Sequence, residues 1–359
     1  MSKDESHKNF FLLKAILFPV IVVPSAVIAM LLFRGNESQR IYNRALQAAN
    51  SGNYQLAALD FERAAALGHA ESACDLALLY QAELLPAKNR LQKIRQCLMQ
   101  GALNGSMNAE YELGKLAESG PEPDMLQAAM HYRRAALGGH VQAQTAMGRL
   151  HEAGLGVNQS ALLAKEFYQQ AAQSGSAEAC TALAKLYLSG KLDKVDHKQA
   201  RKYVLQAAKQ KYPESLTMLG YIYQQADDSE QAGKYYRQAA ELNDPAGLVN
   251  YGDYLAGQNN SEEALTYYEQ AARQNYSPAL HRLGMYYFQQ SPPDYQQARK
   301  YFEKAASCGN PASWINLGIM AELGHTGKTD LKRAAECYSM AEKLGHPDAA
   351  ERLRTLRSK

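Results

Sequence analysis

The sequence predicts an all-α fold: a right-handed α-solenoid of about eight to nine stacked antiparallel helix hairpins, preceded by one transmembrane helix. Three observations predict it. Residues 15–33 are apolar and uncharged, a pattern of roughly 32–37 residues recurs after Arg34, and Gly or Asn followed by Pro punctuates the copies.

The apolar run, AILFPVIVVPSAVIAMLLF, comes close to the ~20 residues a helix needs to cross ~30 Å of hydrocarbon. Lys14 and Arg34 border it, where long side chains reach the headgroups. Pro19 and Pro24 fall inside it, which membrane helices tolerate. A cleaved signal peptide is the competing reading, with Val27-Ile28-Ala29 as the cleavage site, but Met30 to Phe33 carry the run past that point. No cysteine follows the run to take a lipid anchor. The expected organisation is a tail over 1–14, an anchor over 15–33 and a repeat domain with a C-terminal cap over 38–359. Lys3, Lys8 and Lys14 on one side balance Arg34, Arg40 and Arg44 on the other, so the positive-inside count is a tie. A short tail carrying lysines and a free amino terminus is harder to export than a long domain, although five cysteines mildly favour a reducing compartment. The expectation is a single-pass protein of the bacterial inner membrane with its repeats in the periplasm rather than the cytoplasm.

The repeat is clearest over 143–179: Ala143, Met147-Gly148, His151, Gly154, Gly156-Val157, Ala164, Phe167-Tyr168, Ala171-Ala172, Gly175 and Ala179. The skeleton returns as Leu113-Gly114 with Ala135-Ala136, Leu219-Gly220 with Tyr235-Tyr236, Leu283-Gly284 with Tyr301-Phe302, and Leu317-Gly318 with Tyr338. Weaker copies lead in through Phe61 and Ala64-Ala65, then Leu76-Ala77 and Tyr80. The Ala pairs and the Gly after Leu allow close helix approach, and the Leu and Tyr side chains fill the space between. Gly68, Gly105, Gly139, Gly175, Gly309 and Gly345 fall where a helix ends in left-handed backbone; Asn243, Asn275 and Lys211 take that place in three copies. Pro213, Pro245, Pro278, Pro311 and Pro347 follow, placed to open the next helix. The segment 347–356, with Arg352, Arg354 and Arg357, reads as a capping half-repeat.

AMGRLHEAGLGV followed by AKEFYQQAAQSG resembles the Sel-one-like repeat family of the tetratricopeptide superfamily, and the resemblance runs over residues 38–356. The copies beginning near Glu214 and Ala246 lack the Gly-x-Gly-Val turn and are closer to plain tetratricopeptide units. The resemblance implies a scaffold that holds partner proteins, not an enzyme. It also implies that the first helix of each pair lines a concave surface. Positions beside the Leu-Gly pair then become candidate partner-binding residues: Tyr111, Lys115, Thr145, Arg149, Thr181, Lys185, Thr217, Tyr221, Tyr254, Met285, Phe288 and Ile319. Lys115, Arg149 and Lys185 would form a cationic ladder beside the hydroxyls of Thr145 and Thr181, suited to a carboxylate or acidic peptide. Tyr221, Tyr254, Met285, Phe288 and Ile319 would suit an apolar anchor. The opposing reading makes these ordinary solvated or packed side chains, with Glu118 and Glu152 neutralising the cations.

Other chemistry finds little support. Lys+Arg 39 against Asp+Glu 36 lacks the basic excess that phosphate neutralisation requires, so nucleic acid is not expected. There is no CxxC, HExxH, P-loop or nucleophile-elbow pattern, so no cofactor, metal or catalytic residue is expected. His69, His140 and His346 each follow a helix-stopping Gly and read as turn residues, and Trp314 reads as packing. The five cysteines read as buried thiols inside helices. The function expected is a membrane-anchored interaction scaffold or assembly adaptor of an envelope complex. The alternative is an extracytoplasmic regulator recognising a small acidic or cell-wall-derived molecule.

Overall fold

The computed structural model describes residues 25–325 and 327–358, with side chains from residue 35 onward. Every regular element among them is a helix, and they divide into two compact units. Unit 1 extends to Leu150 and takes in Gly154–Asn158; unit 2 holds His151–Ala153 and the chain from Gln159.

Unit 1 contains α1 (Ser25–Asn50), α2 (Tyr54–Ala66), α3 (Ser72–Gln81), α4 (Arg90–Leu103), α5 (Met107–Ser119), α6 (Met125–Leu137) and most of α7 (Val141–Ala153). α1 packs on α2, α3 on α4 and α5 on α6. Unit 2 runs α8 (Ala161–Gln173), α9 (Ala177–Leu188), α10 (His197–Ala208), α11 (Pro213–Gln225), α12 (Ser229–Glu241), α13 (Pro245–Gly257) and α14 (Ser261–Arg273). It continues through α15 (Ser277–Gln289), α16 (Tyr295–Ser307), α17 (Pro311–Leu323), α18 (Leu331–Lys343) and α19 (Ala349–Arg357). From α9 to α18 successive helices pair as hairpins, and α19 closes on α18.

The punctuation works as its chemistry dictates. Second helices open on a polar N-cap, Asp124, Ser160, Asp196, Asp228, Asp294 and Asp330, whose side chain accepts from a backbone N–H of the first turn. Lys211, Asn243 and Asn275 adopt positive φ of 55°, 59° and 56°, replacing the glycines of the other copies. Pro213, Pro245 and Pro311 are first helical residues, whereas Pro347 lies ahead of α19. Gly156 needs its lack of a side chain: at φ +67°, an added Cβ would lie 2.0 Å from the Met125 carbonyl oxygen.

The core of most hairpins is an Ala-lined seam around one large side chain. Tyr132, Tyr338, Phe61 and Phe302 are almost fully buried, among alanines such as Ala128, Ala135, Ala298 and Ala305. Trp314 packs between neighbouring clusters, as expected. The cysteines need a correction. Cys74, Cys180 and Cys337 are buried, Cys97 is half-buried, and Cys308 is exposed at the end of α16, outside the helix.

Residues 15–24 of the expected membrane span lie outside the described residues. Residues 25–33 are the first part of α1, which runs on through residues 34–37 into the first hairpin. Among the described residues no helix is long and apolar enough to cross a membrane.

Candidate interaction surface

The first helices of the hairpins carry the candidate residues, and a glycine fixes how each sits. A Cβ on Gly114 would lie 2.5 Å from the Tyr132 ring, and the same holds for Gly220 with Tyr236 and Gly284 with Phe302. The second helix therefore presses its ring against bare backbone. The residue after the glycine is half-buried or exposed in these copies: Lys115, Tyr221 and Met285.

In unit 1 that residue is a cation with its own acid. Lys115 bonds Glu112 at 2.7 Å, and its ammonium lies 5.3 Å from the centre of the Tyr111 ring. Arg149 bonds Glu118. Tyr111 is half-buried and stacks on His140, ring centres 4.5 Å apart. His140 is also the N-cap of α7, accepting from Ala143 N–H, while its other ring nitrogen meets Asn108. The turn role expected of it is thus a structural one. Thr145 is buried, with its hydroxyl donating to the Val141 carbonyl, so it is withdrawn from the surface.

Unit 2 repeats the arrangement with different chemistry. Lys185 pairs with Glu214, both about half exposed. Thr181 is buried and donates to Ala177, again withdrawn from the surface. Thr217 donates to Asp244 at 2.8 Å, and Tyr221 stands 55% exposed. Tyr254, expected on the binding surface, instead lies across Gly233 of α12, where an added Cβ would come within 2.5 Å of its ring. Met285 and Phe288 are partly buried against the Phe302 cluster, and Ile319 against the Tyr338 cluster. Of the apolar set, Tyr221 is the one fully at the surface.

The sequence reading missed the pairing acids Glu112 and Glu214. Glu112 carries a readable signal, since i,i+3 places it beside Lys115. Of the two acids expected as neutralisers, Glu118 does pair with Arg149. Glu152 instead receives the Tyr168 hydroxyl at 3.2 Å and the Lys191 ammonium at 2.9 Å.

Burial, and then the bond to Glu118, push the Tyr132 hydroxyl well above the usual phenol range, so it stays a donor. Burial, and then Arg282, lower His281 to about 4; its Nδ1 meets the Ser313 hydroxyl at 2.9 Å. No group of His, Cys, Asp and Glu among the described residues is placed to hold a metal ion.

Stacked hairpins with a repeated side-chain register on their first helices define a helical-repeat interaction protein. The chain belongs to the Sel1 repeat family: its model matches residues 108–140, 141–176, 177–212, 245–276, 277–310 and 315–346. A tetratricopeptide repeat model matches 213–244, as expected for the copy near Glu214; the copy near Ala246 is a Sel1 repeat after all. Repeats of this kind mediate protein–protein interaction and are typically non-enzymatic. A 74-residue stretch is 40% identical to the DAP3-binding cell death enhancer 1 of Mus musculus, covering 21% of this chain and spanning only 14% of that protein. The fold is similar to that of c5321, a protective antigen of uropathogenic Escherichia coli with an SLR fold. That structure has a TM-score of 0.66 and 25% identity, over 88% of this chain and 71% of that one. A Sel1 repeat protein from Oxalobacter formigenes gives a TM-score of 0.57 and 24% identity, over 65% of this chain and 96% of that one.

Proposed function

We propose that this chain is a membrane-tethered scaffold of a bacterial envelope complex that holds a protein partner along the first helices of its repeats. The observation that carries this reading is the repeated, about half-exposed cation beside its own acid: Lys115 with Glu112, Arg149 with Glu118, Lys185 with Glu214. Each cation head is about half exposed, so a partner carboxylate can approach it beside the resident acid. The partner segment is acidic where it meets these cations and apolar where it meets Tyr221 and the flanks of Met285, Phe288 and Ile319. The tether is the apolar stretch 15–33, whose last residues are continuous with α1. The repeats lie in the periplasm, which protease access in spheroplasts would test.

The deciding experiment is a cross-linked pull-down of the full chain from its native membranes, beside a Lys115→Glu/Arg149→Glu/Lys185→Glu variant. Loss of a specific protein from the variant alone supports the cation register as the docking surface. Equal recovery from both places the partner elsewhere on the repeats. Recovery of no protein from either removes the scaffold reading.

A further inference from the structure

The outward faces of the second helices change chemistry along the chain. On α6, Leu126, Met130 and Leu137 are 62%, 50% and 79% exposed and share one stripe, at i, i+4 and i+11. On α4 the stripe ends in Met99 and Leu103, 55% and 82% exposed. Aligned on the buried alanines Ala128, Ala232, Ala264 and Ala298, the α6 stripe corresponds to Glu230, Lys234 and Glu241 on α12. On α14 it corresponds to Glu262, Thr266 and Arg273, and on α16 to Gln296, Lys300 and Ser307. The positions that are polar on α12, α14 and α16 are therefore apolar on α6, with Leu162 of α8 the apolar member in unit 2.

Charge also sets α4 and α6 apart from α12, α14 and α16, each of which carries acids. Neither α4 nor α6 contains an Asp or Glu. Lys93, Arg95 and Arg133 are exposed beside the apolar side chains, and no ion pair engages them among the described residues. α4 and α6 flank a groove of about 740 Å³ floored by Leu113, Leu116 and Ala117 of α5. Arg95, Gln127 and His131 line its walls, with Glu122 and Asp124 from the loop before α6. The groove surface is more polar than apolar, although Met99, Pro123 and Met125 also line it, while the most exposed leucines stand on the crests of the two helices.

We infer that this face of unit 1 rests on an anionic lipid bilayer, with Leu103, Met130 and Leu137 entering the headgroup–acyl boundary. A folded protein partner buries apolar anchors in a pocket of matching shape. Apolar crests separated by a polar groove offer no such match, but a fluid interface takes them without one. Lys93, Arg95 and Arg133 have stems long enough to reach lipid phosphates while their helices lie flat, the arrangement of interfacial amphipathic helices. α4 and α6 themselves carry no acids, so repulsion from an anionic surface is confined to Glu122 and Asp124 of the loop between α5 and α6. This contact is a second one beyond the proposed tether, and it rests on that reading for its nearness to a membrane.

The test uses the full chain in native membranes, with benzoylphenylalanine in place of Leu103, Met130 or Leu137, and at Thr266 or Lys300 as controls. After irradiation, adducts are identified by mass spectrometry, and alkaline-carbonate extraction of the same membranes reads the tether separately. The expected result is phospholipid adducts at the three unit 1 positions and not at the controls. Arg95→Glu/Arg133→Glu, two exposed changes that leave the core intact, should lower those adducts severalfold. Protein adducts at the three positions, no adducts, or equal lipid adducts at the controls would each overturn the inference. A chain that resists extraction yet gives no lipid adducts keeps its tether and loses this contact; a chain that is extracted and gives none loses both.

Discussion

The hydroxyl of Tyr132 donates to Glu118 over 2.7 Å, joining the second helix of a hairpin to the first, four residues past the glycine its ring covers. The relationship recurs as Tyr338 with Glu322 and Tyr236 with Gln224, each at 2.7 Å, whereas Tyr268, whose ring covers Gly252, reaches Asp253 one residue past that glycine. Where the ring has no hydroxyl the partner position is apolar: Phe302 faces Phe288, ring centres 6.4 Å apart. In α10 the ring is replaced by Val204, and Leu188 occupies the partner position. Each tyrosine hydroxyl finds a polar partner, at this position or, for Tyr268, at Asp253, because a buried hydroxyl without an acceptor is costly.

Tyr132→Phe should therefore lower stability by about 1 kcal/mol, the net worth of one such bond. Denaturant unfolding of the variant beside wild type measures it, and an unchanged midpoint would remove energetic meaning from the pairing.

The converse change is more informative. Phe302→Tyr places a hydroxyl beside Phe288 and should cost about 1–3 kcal/mol. In a double-mutant cycle with Phe288→Glu, the two changes should couple favourably by about 1 kcal/mol. Additive losses would show that the ring pocket does not read the hydroxyl.

Two helical glycines should respond in opposite directions to alanine. Gly114→Ala puts a methyl into the Tyr132 ring and should cost about 1–3 kcal/mol through overpacking. Gly257→Ala meets nothing within 4 Å and should stabilise by about 0.4–1 kcal/mol through a less flexible unfolded chain. Thermal unfolding of the pair checks both signs at once.

Lys211 holds φ +55° where other copies place glycine or asparagine. Left-handed backbone costs a residue with a Cβ roughly 1–2 kcal/mol, partly offset by the greater freedom of unfolded glycine. Lys211→Gly should raise stability by about 0.5–1 kcal/mol, with Lys211→Asn gaining less.

Acid should weaken unit 2 through His281. Its folded value of about 4 lies below the unfolded value near 6.5, so between these the unfolded chain binds the extra proton. Stability is therefore full above pH 6.5 and declines as pH falls toward 4. Its partial exposure limits the effect to on the order of 1–2 kcal/mol. The decline should be shallower in His281→Gln; identical pH profiles for the two proteins would assign it to other groups.

Much of the hairpin order was readable because turns are written in local chemistry. A glycine with positive φ, or an asparagine standing in for it, declares itself without knowledge of distant contacts. The acidic N-caps of the second helices were equally local, at Asp124, Asp196 and Asp330, though the hydrophobic pattern overshadowed them. The surface was less readable because exposure depends on which neighbour covers a position. Thr145 and Thr181 share the helix register of the cations but face packed neighbours, and each hydroxyl falls back on a carbonyl four residues earlier. Tyr254 follows Asp253 in the chain, yet its ring is claimed by the gap at Gly233 in the preceding helix, α12. Cys308 was misplaced by a single residue, since α16 ends at Ser307.

α1 is twice as long as α2, 26 residues against 13, and the side chains it sets against Asp60 and Phe61 of α2 come from its second half. Arg44 and Tyr42 fix how that half is rolled, through Asp60 and the edge of Phe61. At ~1.5 Å per residue the helix is a rod of about 39 Å, and at ~100° per residue it keeps phase from end to end. One residue inserted ahead of Glu37 would swing the first hairpin through about 100° around the rod relative to residue 25, while four would nearly restore it. The length of α1 is therefore an angular setting: it decides which side of the first hairpin is presented to whatever grips the helix at its start.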